Sequence, residues 1–160
     1  KLEEDCDMGP LITQAEAERV EAWVQEARAA GATVECGHRR EGAVYWPTVL
    51  TGVKEGMRVD CEEIFGPVVS LYRIRDLEEG IRRSNGVDFG LQAAVFTTSL
   101  ASAFRAVEGL EAGAVMVNDS TAYRMDAMPF GGSKSSGLGR EGIRFALQEM
   151  TEPKTVCFNL

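Results

Sequence analysis

Histidine occurs once in the 160 residues, at His38, and the four cysteines, Cys6, Cys36, Cys61 and Cys157, are scattered with no CxxC pair. Together they offer too few ligands for a zinc site, so no metal is expected and the thiols read as reduced. The shortage also limits nucleophilic chemistry. No cysteine has a neighbouring histidine or an evident helix N-terminus to generate a thiolate, so no catalytic residue is assigned within the chain. Long apolar runs are missing as well: nothing approaches the ~20 residues that span a bilayer, and no charged start leads into a signal-like stretch. A cytoplasmic protein without a membrane partner is expected. Basic residues are scarce, 17 Lys and Arg against 25 Asp and Glu for a net charge of -8, which excludes a nucleic-acid grip. An initiator methionine is absent too, and the charged stretch from Lys1 to Asp7 reads like the middle of a loop. The expectation is a piece of a longer protein.

What is present is a βα rhythm. Thr13 and Glu16 fit a capping box for a helix to about Ala30, with Val20, Trp23, Val24 and Ala27 on one face and Gly31 ending it. Strands are predicted over Thr33 to Cys36 and Val44 to Leu50, the second placed at an edge or bent by Pro47. From Pro67 onward the pattern predicts strand Val68 to Ile74, helix Asp76 to Ser84, strand Leu91 to Phe96, helix Ser99 to Leu110 and strand Ala114 to Val117. Leu100, Ala103, Phe104 and Val107 form the expected buried stripe of the second of these helices. A glycine-rich connection, Asn118 to Gly139, leads to a helix from about Arg140 to Met150 and a last strand, Lys154 to Asn159. Apolar strands separated by amphipathic helices imply an α/β fold, a mainly parallel sheet with helices on both faces.

Two glycine motifs fail on context. Gly137-Leu138-Gly139-Arg140-Glu141-Gly142 matches G-x-G-x-x-G, but no strand precedes it and no βαβ unit fits before Leu160. Gly132 to Gly137 has phosphate-loop spacing with Leu138 where the lysine belongs. Glycines that permit tight turns and close packing explain both better.

Two further segments are far more specific. Cys61-Glu62-Glu63-Ile64-Phe65-Gly66-Pro67-Val68 and the stretch Met128-Pro129-Phe130-Gly131-Gly132-Ser133-Lys134-Ser135-Ser136-Gly137-Leu138-Gly139-Arg140-Glu141 resemble the E-E-I-F-G-P-V and P-F-G-G-x-K-x-S-G-x-G-R-E motifs of the aldehyde dehydrogenase superfamily, in its order and at about its spacing. Gly90 to Thr97, Gly113 to Asn118 and Met8 to Leu11 resemble further segments, so the likeness covers nearly the whole chain. It implies the C-terminal portion of an NAD- or NADP-dependent aldehyde dehydrogenase that acts on a small aldehyde. In that family a cysteine thiolate attacks the aldehyde, the adduct passes hydride to the nicotinamide, and a glutamate-activated water hydrolyses the thioester. By resemblance the cysteine, the glutamate and the oxyanion-binding asparagine lie upstream of Met8. Residues 1–152 would be the C-terminal part of the catalytic and cofactor-contacting region, and 153–160 a strand for self-association into a dimer or tetramer.

The resemblance also assigns residues. Glu63 matches a ribose-binding glutamate, against a surface acid beside Glu62; Phe65 matches an aromatic near the nicotinamide, against an ordinary core phenylalanine. Phe130 matches a substrate-tunnel residue and Glu141 a possible proton route, against loop packing and a favourable helix N-terminal charge. Asn118 is expected to tie loop backbone. The wording of Asn118 to Pro129 and of Glu149 to Thr151 resembles the lactaldehyde and non-phosphorylating glyceraldehyde-3-phosphate dehydrogenase branch, which makes Arg124 a candidate for meeting an anionic substrate group, against a surface pair with Asp126. Two rivals stand: an acylating or semialdehyde-specific member of the superfamily, and a non-catalytic assembly module.

Overall fold

The computed structural model describes residues 6–160, so most of the charged opening from Lys1 to Asp7 lies outside the described residues. The chain divides into two compact units, residues 1–73 and 74–160.

The first unit is built on helix α1 (Gln14–Ala29). The Thr13 hydroxyl accepts from the Glu16 amide at 3.2 Å, and Gly31, at φ +104, lets the Ala32 amide turn back to the Ala27 carbonyl at 2.9 Å. Ala17, Val20, Val24 and Ala27 face a core shared with Tyr45, Leu50 and Val53. Val20 and Val24 are fully buried, each worth about 1.5–3 kcal/mol relative to exposure. Strands β1 (Thr33–Cys36), β2 (Arg40–Glu41), β3 (Val44–Tyr45), β4 (Thr48–Thr51) and β5 (Val68–Ser70) follow, with helix α2 (Arg58–Cys61) before the last. The sheet order is β1-β4-β5, antiparallel then parallel, and β2 pairs with β3 as a small hairpin.

The single strand expected from Val44 to Leu50 is therefore two. Pro47 bends the chain as predicted, but the edge placement is wrong, because β4 is the central strand. The proline stays clear of the ladder: pairing resumes at Thr48, whose amide donates to the Pro67 carbonyl at 2.8 Å. Buried Thr48 is also satisfied, its hydroxyl accepting from the His38 amide and donating to the Trp46 carbonyl, both at 2.8 Å. Gly37 makes this possible, since a Cβ there would lie 2.1 Å from the Pro47 oxygen.

The second unit contains α3 (Leu77–Ser84), β6 (Phe89–Gly90), β7 (Gln92–Val95), α4 (Leu100–Gly109), β8 (Ala114–Val117), β9 (Ser133–Lys134) and α5 (Ile143–Glu149). Asp76 and Ser99 cap α3 and α4 by accepting from Glu79 and Ser102 amides. β7 and β8 pair in parallel and β6 and β9 antiparallel. The α/β class expected from the sequence is observed.

Three expectations need correction here. In α4 the buried residues are Ala103 and Ala106, whereas Leu100, Phe104 and Val107 are exposed. Small side chains let the helix approach its neighbour closely, and Ile81 of α3 is buried in the same unit. The last helix starts at Ile143, not Arg140, because Gly142 sits at φ +124 and Glu141 is held in a β-bridge. Residues 154–159 form no strand among the described residues and are exposed.

Candidate functional site

In the first unit, α2 delivers the chain into a turn at Glu62 to Gly66. Glu63 is exposed, and its carboxylate has no hydrogen bond or ion pair among the described residues. Phe65 is 72% exposed and adopts φ +46, a left-handed conformation rare for a bulky side chain. Phe65 thus stands outside the buried core of this unit. A free carboxylate two residues from an exposed aromatic is a pair of groups that suits a nucleotide: the carboxylate can accept from both hydroxyls of a ribose, and the ring offers a flat apolar face.

The second unit gathers the other three assigned residues. Phe130 and Glu141 form an antiparallel bridge, with the Phe130 amide donating to the Glu141 carbonyl at 3.0 Å and the reverse bond at 2.6 Å. The Arg124 guanidinium stacks over the Phe130 ring, 4.1 Å from its centroid, and its Nη2 donates to Glu141 Oε2 at 3.4 Å. The sequence alternative of an Arg124–Asp126 pair gives way to this one, because the bridge brings Glu141 to the arginine. Glu141 precedes the helix cap, so its carboxylate faces Arg124 and not the helix N-terminus. One guanidinium nitrogen is engaged in this way; the other donors remain for an anion.

Around this group the glycine-rich connection is fastened by residues to which the sequence reading gave no role. Lys134 donates to the Asn85 and Val87 carbonyls at 2.7 and 3.1 Å and pairs with Glu111 at 2.9 Å, so its charge is spent on structure. Arg140 donates to the Gly132 and Gly139 carbonyls at 2.9 and 2.7 Å. A Cβ on Gly113 would lie 1.7 Å from the Gly131 oxygen, and one on Gly131 2.6 Å from the Gly139 oxygen. Within the two glycine motifs, a Cβ on Gly132 would lie 2.3 Å from Ser136 Cβ, and Gly139, at φ +70, would bring one 2.8 Å from Glu149 Oε1, the tight turns and close packing that the sequence suggested. Lys134 and Arg140 stand inside the quoted motif, which was the available signal. Asn118, at φ +58, accepts from the Thr97 amide at 2.8 Å and donates to the Thr97 carbonyl at 3.0 Å, the loop-tying part expected of it.

All four cysteines are free and exposed. His38 is occupied elsewhere: Nδ1 meets the Tyr45 hydroxyl at 2.9 Å and Nε2 the Gln25 side chain at 3.2 Å. Burial, then the Arg28 charge, lowers its pKa from the ordinary value. Among the described residues no His, Cys, Asp and Glu cluster could hold a metal ion, and no helix is long and apolar enough to cross a membrane.

The model of the Aldehyde dehydrogenase family matches residues 1–156. A 3-sulfolactaldehyde dehydrogenase of Priestia aryabhattai is 46% identical over 99% of this chain and 33% of its own length. An aspartate-semialdehyde dehydrogenase of Pseudomonas canavaninivorans is 49% identical over 98% of the chain and 33% of its length. The crystal structure of aldehyde dehydrogenase 21 from Physcomitrella patens, in complex with the reaction product succinate, superposes with a TM-score of 0.91 at 44% identity, covering 94% of this chain and 31% of that one. The structure of glyceraldehyde-3-phosphate dehydrogenase from Methanocaldococcus jannaschii, complexed with NADP, gives 0.88 at 40% identity over 93% and 32%. The chain spans about a third of the length of the curated relatives it matches.

Proposed function

The chain belongs to the aldehyde dehydrogenase family, and from that premise we propose that the complete protein oxidises a small, anionic aldehyde to its carboxylic acid with NAD or NADP. The observation that carries the reading is the Glu63–Phe65 turn, a free carboxylate two residues from an exposed aromatic inside the motif that the resemblance assigns to the nicotinamide ribose. Glu63 would hold the ribose hydroxyls and Phe65 would pack near the ring. The bound nucleotide supplies the hydride acceptor; what this chain contributes is its fixed orientation.

Phe130 and Arg124 would meet the substrate, the ring shaping an apolar wall and the guanidinium receiving the anion. Relatives support a charged substrate: those named for 3-sulfolactaldehyde and aspartate semialdehyde carry a sulfonate and a carboxylate in the named compounds. The second name also keeps the semialdehyde-specific reading in play. Glu141 holds Arg124 in place and is the proposed proton route. The nucleophile would come from a part of the protein that this chain does not include, since every cysteine here lacks a histidine partner among the described residues. Self-association as a dimer or tetramer is proposed through residues 153–160, where Val156, Phe158 and Leu160 are exposed at alternating positions suited to strand addition.

The test is nucleotide reduction by the complete protein with anionic aldehydes, in wild type and Glu63→Gln. The variant should lower the pre-steady-state burst of NADH or NADPH formation roughly ten- to hundredfold, the worth of one charge-assisted contact. An unchanged burst rate means that Glu63 does not position the ring.

A further inference from the structure

The turn that carries Glu63 and Phe65 is gripped from α1. Arg19 Nη2 donates to the Ile64 carbonyl at 2.8 Å, on the residue between Glu63 and Phe65. On the far side of Phe65, Gly66 lies so close to α1 that a Cβ would meet Val20 Cγ2 at 2.7 Å. The arginine is itself held. Its Nε donates to Glu16 Oε2 at 2.8 Å, and its guanidinium stacks 4.7 Å from the Trp23 centroid. Arg58, on α2 at the root of the turn, stacks on the same indole at 5.4 Å.

We propose that Arg19 is a positioning residue for the nucleotide, clamping the Ile64 carbonyl so that the Glu63–Phe65 turn stands ready before the nucleotide arrives. The proposal rests on the reading of Glu63 as the ribose-binding group. Left-handed backbone at an aromatic residue is sparsely populated and persists only where the surroundings over-determine it. Arg19 and Val20 supply that restraint, one on each side of Phe65. With the arginine removed, the Ile64 carbonyl loses its donor, φ at Phe65 relaxes, and Glu63 must be ordered anew when the nucleotide binds. The penalty then falls on the nucleotide and leaves the aldehyde untouched.

The experiment uses the complete protein and four variants: Arg19→Met, Arg19→Lys, Glu63→Gln and the Arg19→Met/Glu63→Gln double. Fluorescence titration with NADH or NADPH gives the nucleotide Kd, and steady-state kinetics separates KM for nucleotide from KM for aldehyde. Arg19→Met should weaken nucleotide binding about tenfold, with the aldehyde KM moving by less than about twofold. Arg19→Lys keeps one charged donor and should recover part of the loss. In the double variant the Arg19 change should add nothing to the Glu63→Gln loss. Wild-type affinity in Arg19→Met beside weakened Glu63→Gln, or fully additive losses, overturns the clamp. Wild-type affinity in Glu63→Gln is a different result, which overturns the ribose reading and the clamp that depends on it. Should Arg19→Met not fold, Arg19→Lys alone and combined with Glu63→Gln carries the same comparison.

Discussion

Replacing Arg124 by leucine tests whether the second unit selects substrate by charge. The guanidinium makes two contacts in the structure, a 3.4 Å pair with Glu141 and a 4.1 Å stack on Phe130. The side chains of Arg124 and Glu141 are 46% and 73% exposed, so the pair is screened and worth roughly 0–1 kcal/mol. A charge-assisted bond from the guanidinium to a substrate anion is worth about 1.5–3 kcal/mol. If the anion displaces Glu141, the net discrimination is on the order of 1–2 kcal/mol, roughly five- to thirtyfold. Arg124→Leu should therefore lower kcat/KM for an anionic aldehyde by about tenfold and leave a neutral aldehyde of the same size nearly unchanged. In Glu141→Gln the competing carboxylate is gone, so KM for the anionic aldehyde should fall by up to about fivefold, while kcat should fall for both aldehydes through loss of the proposed proton route. Equal losses for both aldehydes in Arg124→Leu would refute the argument and make the arginine a loop support. An unchanged kcat for both aldehydes in Glu141→Gln would remove the glutamate from the proton route.

Two other expectations concern stability. Gly113→Ala should destabilise the fold by about 2–4 kcal/mol, since the new methyl would lie 1.7 Å from a backbone oxygen that no side-chain rotation can move, whereas Gly42→Ala, with nothing within 4 Å but φ +57, should cost only about 1 kcal/mol; denaturant midpoints compare the two, and equal shifts would sink the clash argument. The lowered pKa of His38, caused first by burial and then by Arg28 and opposed by Glu21, means that the folded state prefers the neutral ring. Its contribution is complete above the unfolded-state pKa and is lost as pH falls from there towards the depressed folded value. His38→Gln should flatten the pH dependence of stability across that window, and an unaltered slope would remove the histidine from the account.

How far the sequence could be read depended on the range of the forces involved. Caps are local hydrogen bonds between residues three apart: the one at Thr13 forms as its spacing to Glu16 predicts, and Asp76 and Ser99, at the predicted starts of the next two helices, cap them in the same way. The stripe on α4 was misjudged because periodicity names a face without saying how close its neighbour lies. There the alanines, not Leu100 and Phe104, are buried. The strand Val44 to Leu50 was run together because β-branched and aromatic residues continue through Pro47, and β2 was hidden in a segment that composition marks as a turn. For the site, Arg124, Phe130 and Glu141 were each assigned from motif wording, but their mutual contact depends on a bridge between residues 130 and 141 that no local pattern announces. Arg19 was invisible for the same reason: its partner is Ile64, and its spacing within α1 says only that it lies off the apolar face.

The Phe130–Glu141 bridge has a topological consequence. It joins the ends of the loop below its tip, and at that tip Leu138 is fully exposed while Gly137 has open space around it. Extra chain added between those two residues only lengthens a loop that is already closed, and each doubling of loop length costs about 0.6 kcal/mol in closure entropy. The tip is thus a port where foreign sequence, a peptide epitope or a fluorophore handle, can be spliced in while the stack of Arg124 on Phe130 stays anchored at the neck.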